Sequence, residues 1–175
     1  MRLTIPALVA AVALVAACET APEDTGAGSG TGSATPTTTT TTVDSGSLPG
    51  PAAGSVEDFL QVGDRVYFDF DKFNLKPEAR SALEKQAAWL TRYPAVTVVI
   101  EGHADERGTR EYNLALGERR ANSAKDYLVA LGVSPNRIRT ISYGEERPVA
   151  LGSSEAAWSQ NRRSVTVITG GAVGS

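Results

Sequence analysis

The chain has one histidine, one cysteine and one methionine in 175 residues. A lone cysteine in an exported chain closes no internal disulfide. One histidine leaves a catalytic zinc site short of its usual ligands. Aromatic residues make up 6% of the chain, so no stacking platform stands out. There is no excess of positive charge either: 17 Lys and Arg face 20 Asp and Glu, a formal net charge of −3. That excludes a general binder of nucleic acid or anionic lipid, whose affinity needs a basic face. The apolar run Leu8–Ala17 is too short to cross a bilayer as a helix.

That run does suit the h-region of a secretory signal, with Arg2 ahead of it. It closes on "VAAC", where Ala16 and Ala17 are small enough for a signal peptidase and Cys18 follows. The arrangement resembles a bacterial lipobox, in which the cysteine becomes the mature N-terminus and carries lipid. The other reading is an ordinary signal peptide with an incidental cysteine. Residues 1–17 are therefore read as a lipoprotein signal peptide and Cys18 as the lipidated residue, a covalent anchor with no other cofactor. Several acyl chains hold a membrane firmly where one does so only marginally. Glu19 stands where lipoproteins kept in the inner membrane often have Asp, which favours the outer membrane. Residues 18–55 are rich in Thr, Gly, Ser and Pro and cannot bury enough surface to order themselves. The 37 residues between Cys18 and Val56 span about 35 Å as a flexible coil and about 120 Å when stretched.

Residues 56–169 are long enough for one domain with its own core. "RVYFDF" (Arg65–Phe70) reads as a strand with Val66, Phe68 and Phe70 on one face. Pro77 opens a helix, in which Ala79, Leu83, Ala87 and Leu90 recur at helical spacing, and Pro94 stops it. Ala95–Gly102 is an apolar run of strand length. A second helix runs from an N-cap at Thr109 to Leu131, before Gly132. Its inner row is Leu114, Gly117, Ala121, Ala124, Leu128 and Leu131, with Gly117 allowing a close approach to the sheet. Arg137–Gly144 is a strand, Ser154–Asn161 a short helix and Arg163–Thr169 a strand. Trp89 and Trp158 lie on helices and are read as core, and the tail 170–175 as loose. The order βαβαβαβ makes an α/β sandwich, a small mixed sheet covered by helices.

Chemistry concentrates in "EGHADERGTREYN" (Glu101–Asn113), which surrounds His103 with carboxylates. A zinc or acid–base site would use His103 with Glu101, Asp105 or Glu106, but no second histidine and no nucleophile with a matching base accompanies them. The alternation of Glu106 and Glu111 with Arg107 and Arg110 fits a solvated loop. No enzyme is expected. His103 is instead expected to be a hydrogen-bonded residue at the strand end, holding the Asp105 loop.

The segments "YFDFDKFNL", "EGHADERGTREYNLALGERRA", "YGEERP" and "NRR" are very similar to the peptidoglycan-associated lipoproteins of the OmpA-like C-terminal domain family. The similarity covers nearly all of 56–169, and the motif from Gly102 to Ala121 is long and gap-free. It implies an OmpA-like domain that binds the diaminopimelate residue of peptidoglycan stem peptides through Asp105 and Arg120. It implies that Phe70 and Asp71 present backbone amides to that ligand, that Thr109 and Leu116 line the pocket, and that Asn113 helps fix the loop. Gly117 departs from the Ser found in many relatives. The chemistry suits those roles. Diaminopimelate ends in a carbon bearing an ammonium, which Asp105 can accept, and a carboxylate, which Arg120 can hold with two hydrogen bonds. A lysine-type stem peptide lacks that carboxylate. Two points stay open. Asp105 and Arg120 can pair with each other, or with Arg107 and Glu118; and Arg120 lies about 16 Å along the helix from Thr109, so Asp105 must fold back to share a ligand. Arg162 either supports the pocket or a partner surface, or makes a structural ion pair. The resemblance further implies a tether between outer membrane and cell wall, lipid-anchored on the periplasmic face, with TolB and other Tol proteins as partners in cell division and envelope integrity. The alternative is a wall-binding lipoprotein of this family outside the Tol-Pal system.

Overall fold

The structure is a computed structural model that describes residues 50–174. The leader 1–17, Cys18 and the linker as far as residue 49 lie outside the described residues. The elements run α1 (Val56–Val62), β1 (Arg65–Tyr67), α2 (Pro77–Arg92), β2 (Thr97–His103), α3 (Arg110–Ala130), a 3-10 turn (Pro135–Arg137), β3 (Ile138–Gly144), α4 (Glu155–Asn161) and β4 (Arg163–Gly170). The sheet order is β1-β4-β2-β3. β2 and β3 are parallel, and β4 runs antiparallel to both β1 and β2. This is the α/β sandwich that the alternation of periods predicts, with one helix more than expected.

Alternation along the strands makes the core. In β2, Val98 and Ile100 are buried while Thr97 is exposed, as a sheet with one covered face requires. They meet Leu83, Ala87 and Leu90 of α2 and Ala121, Ala124 and Leu128 of α3 in one cluster. Two glycines set the distance of α3 from the sheet. A Cβ on Gly102 would stand 1.8 Å from the Gly117 carbonyl oxygen, and one on Gly117 would stand 2.4 Å from Ser142 Oγ. Backbone therefore packs on backbone, and Ser142 fills the space that a serine at position 117 would take. Its hydroxyl donates to the Leu114 carbonyl at 2.6 Å.

Several expectations are corrected. β1 ends at Tyr67: Val66 and Phe68 are buried, but Phe70 is 54% exposed, because the chain turns there instead of continuing the alternation. Leu131 is exposed at the helix end. Trp89 is core, whereas Trp158 is only partly buried and donates from Nε1 to Glu106 at 3.0 Å. Gly54 and Ser55 belong to the folded part: Ser55 caps α1, accepting from the Asp58 amide at 3.1 Å. The tail is held rather than loose. Val173 N–H donates to the Gly54 carbonyl at 3.0 Å, and Gly171 lies against the Ala95 backbone. Both ends of the domain thus meet beside Thr97, at the start of β2.

Candidate functional site

The site lies at the other end of β2, about 20 Å away for a strand of this length. Its centre is Arg120, on the buried side of α3 and 0% exposed. The guanidinium donates to three backbone carbonyls: Nε to Lys72 at 2.8 Å, Nη1 to His103 at 2.8 Å and Nη2 to Asp69 at 3.2 Å. One side chain therefore ties α3 to the end of β2 and to the turn after β1. That turn is closed by Lys72 N–H donating to the Asp69 carbonyl at 3.2 Å. Asp71 inside it has φ 55°, the one positive φ outside glycine among the described residues, in a region that Asp enters more readily than bulkier residues. Tyr112 Oη donates to Asp71 Oδ1. Among the described residues, no backbone carbonyl accepts from the amides of Phe70 or Asp71.

Three of the five N–H donors of Arg120 are engaged, and two remain. No carboxylate among the described residues lies within ion-pair distance of it. Burial brings its pKa down to about 10, against the opposing pull of Asp105 and Asp71. A buried cation without a counter-ion is costly, and an anion arriving beside it recovers part of that cost.

Asp105 follows β2 directly, and the Ala104 amide donates to the Gly144 carbonyl at 2.8 Å, which fixes the exit from the strand. Oδ1 of Asp105 accepts from the Arg107 amide at 3.2 Å and from Arg107 Nε at 3.3 Å. Oδ2 accepts from Arg107 Nη2 at 2.7 Å and from Arg162 Nη1 at 3.2 Å. Burial pushes the Asp105 carboxyl up, but the hydrogen bonds from Arg107 and Arg162 outweigh it and hold it below the usual carboxylate range. Arg162 is itself buried, donating from Nε to the Phe68 carbonyl at 3.0 Å and from Nη2 to Glu155 at 2.6 Å. It is thus a buttress behind Asp105.

Between these groups opens a cleft of about 230 Å³. Asp105, Arg107 and Gly108 line it from the loop after β2, and Tyr112, Leu116 and Arg120 from α3. Phe70 and Asp71 close it from the turn. That volume takes the end of a side chain rather than a drug-sized ligand. Asp105 and Arg120 do share one cleft, because the loop 104–109 folds back along α3; each has other partners, and they do not pair.

Other sequence candidates fall differently. Thr109 is not among the lining residues: its hydroxyl caps α3, accepting from the Tyr112 amide at 3.2 Å. Asn113 is buried and donates from Nδ2 to Glu145, fixing the start of α3 against the loop after β3. His103 is a correction. Gly102 faces α3, so its neighbour points to the other face of the sheet. There the imidazole is 1% exposed and stacks on Tyr143 at 5.6 Å between ring centroids. Neither ring nitrogen has a hydrogen-bond partner among the described residues. Only its backbone carbonyl reaches the site. Burial, with Arg163 and Arg147 nearby, lowers its pKa to about 4. Among the described residues no three His, Cys, Asp or Glu side chains gather as a metal site would need. Arg107, one of the neighbours open to Asp105 in the sequence, does pair with it and also lines the cleft, whereas Tyr112 was missed. Tyr112 was within reach, since 112, 116 and 120 repeat at one helical turn.

Residues 67–162 match the OmpA family. The chain belongs to the OmpA family. Within that family it is 58% identical over 118 residues to the peptidoglycan-associated lipoprotein of Brucella melitensis, covering 67% of this chain and 70% of that one. It is 53% identical over 111 residues to the protein of the same name from Pasteurella multocida, covering 63% and 74%. Among solved OmpA-family structures, the peptidoglycan-associated lipoprotein from Burkholderia pseudomallei superposes with a TM-score of 0.59 at 43% identity, over 61% of this chain and 90% of that one. The C-terminal domain of Helicobacter pylori MotB, at 22% identity and a TM-score of 0.57, shares the OmpA-family fold.

Proposed function

We propose that this protein is a non-catalytic envelope lipoprotein that grips peptidoglycan non-covalently through the diaminopimelate of its stem peptides. The observation that carries the reading is the buried Arg120 guanidinium, which lines a small cleft and, among the described residues, keeps two donors unengaged and has no counter-ion. The carboxylate at the diaminopimelate terminus supplies that counter-ion, and the Phe70 and Asp71 amides add donors. Asp105 and Asp71 supply negative charge for the neighbouring ammonium. Catalysis is disfavoured by the same geometry. Asp105 is already hydrogen-bonded by two arginines, and the His103 ring lies on the far face of the sheet, so neither is placed as a general base. Lipid on Cys18 would hold the chain at the periplasmic face of the outer membrane. Many copies then add avidity to a modest single grip. The names of the relatives agree with wall association. Partnership with TolB and the other Tol proteins, with a role in cell division, extends the same reading.

The test is calorimetric titration with a stem peptide ending in diaminopimelate and with its lysine counterpart. Binding of the first alone is expected. Equal binding of both, or of neither, would remove the wall-anchor reading. Capture by TolB then separates a Tol-Pal member from a family lipoprotein outside that system.

A further inference from the structure

Asp105 is saturated. An ionised carboxylate has about four lone-pair sites, and all four accept here: three bonds come from Arg107 and one from Arg162. A ligand ammonium reaches Asp105 only if a donor leaves. Arg162 is fixed, with a side chain only 7% exposed and further bonds to Phe68 and Glu155. The Arg107 side chain is 29% exposed. Its guanidinium lies between two aromatic faces, 3.9 Å from the Phe70 ring centroid and 4.1 Å from that of Trp158. Such faces attract a cation without fixing it to one point in their plane. A second carboxylate is at hand. Glu155 Oε2 stands 3.8 Å from Arg107 Nη2, while its Oε1 holds Arg162. A movement on the order of 1 Å brings that pair to hydrogen-bond distance.

We infer that Arg107 is a resident cation of the cleft: it occupies the ammonium position on Asp105 and shifts to Glu155, within its aromatic sandwich, when a ligand ammonium enters. The inference rests on the proposed binding of diaminopimelate. It assigns Arg107 a specificity role. With the cleft empty, Asp105 stays neutralised, and a ligand without an ammonium finds nothing there to displace Arg107.

The experiment titrates the full chain with the diaminopimelate stem peptide and with an analogue that keeps the terminal carboxylate but lacks the terminal amine. Both are measured on the wild type, Arg107→Ala, Arg107→Lys and Glu155→Gln, with melting curves to show that each variant is folded. Arg107→Ala is expected to bind the diaminopimelate peptide about fivefold more tightly, the effect of losing one competing, partly exposed ion pair, with no such tightening for the analogue. Arg107→Lys, which keeps the charge but not the fork, is expected to fall between. Glu155→Gln should weaken binding of the amine-bearing peptide in the wild-type background and lose that effect beside Arg107→Ala. If Arg107→Ala weakens both ligands equally, Arg107 is a direct carboxylate grip and the inference fails. If both affinities stay the same, the ammonium sits elsewhere, at Asp71, and it fails again. A wild type that binds no stem peptide is a different failure: the wall-binding reading falls first and takes this one with it.

Discussion

Replacing Arg120 with methionine keeps most of the side-chain stem and deletes the three bonds to the carbonyls of Asp69, Lys72 and His103. Two terms compete. Hydrogen bonds from a charged donor contribute about 1.5 kcal/mol each at the low end, or about 4–5 kcal/mol for three. Against them stands the cost of burying the cation. A pKa brought down to about 10 from the ordinary guanidinium value corresponds to about 3 kcal/mol. The His103 carbonyl, buried and left without its donor, adds about 1–3 kcal/mol of destabilisation. The net expectation is a loss of about 2–4 kcal/mol from a domain whose total stability is about 5–15 kcal/mol. The variant should therefore fold, but less stably. Urea denaturation should show the midpoint falling by about 1 M or more with an unchanged slope. A midpoint within about 0.3 M of the wild type would mean that the carbonyl cage holds nothing, and the account of Arg120 as both staple and receptor would be wrong. A binding loss in this variant is interpretable only beside that measurement.

His103 gives a pH dependence of known sign. Its folded pKa, about 4, lies below the ordinary 6.5, so the unfolded chain takes up the proton first and stability falls as pH drops from about 6.5 to about 4, by about 3 kcal/mol in all. His103→Phe should flatten this limb and leave the loss below pH 3.8 that Asp105 contributes; urea midpoints between pH 4 and 7 with the same slope in both proteins would count against it. At the α3–sheet contact, Gly117→Ser alone should destabilise by about 1–3 kcal/mol through overpacking against Ser142 and the Gly102 backbone, and the double change Gly117→Ser with Ser142→Gly should recover the part of it that Ser142 causes. Additive effects in thermal melts would show that the two positions do not share one space.

Much of the fold was legible because it rests on periods. Val98 and Ile100 alternate, and Ala121, Ala124 and Leu128 repeat with the helix; Thr109 and Gly132 mark the ends of α3 where caps belong. α1 was missed although Ser55-x-x-Asp58 is a capping signal. Val56, Phe59 and Leu60 do stand at helical spacing, but the helix is only 7 residues long, too short for that period to stand out. The turn at Phe70–Asp71 was hidden because "YFDFD" still alternates, although β1 ends at Tyr67 and the chain turns through the positive φ of Asp71. At the site, residue types were readable and partners were not. The three groups that hold Arg120 are backbone carbonyls, which leave no trace in a sequence. Arg107 was readable as a loop charge and a possible partner of Asp105, but not as a cation held between Phe70 and Trp158.

The meeting of Gly54 and Val173 beside Thr97 has a mechanical consequence. The first described residues enter the domain at one pole, beside Gly54, and the cleft opens at the other. A pull between a membrane anchor and a wall-bound ligand would run lengthwise along the sheet. β1 and β4 would then be loaded in shear, their hydrogen bonds straining together instead of parting one after another. The bond from Val173 to the Gly54 carbonyl would meet the load first, ahead of α1.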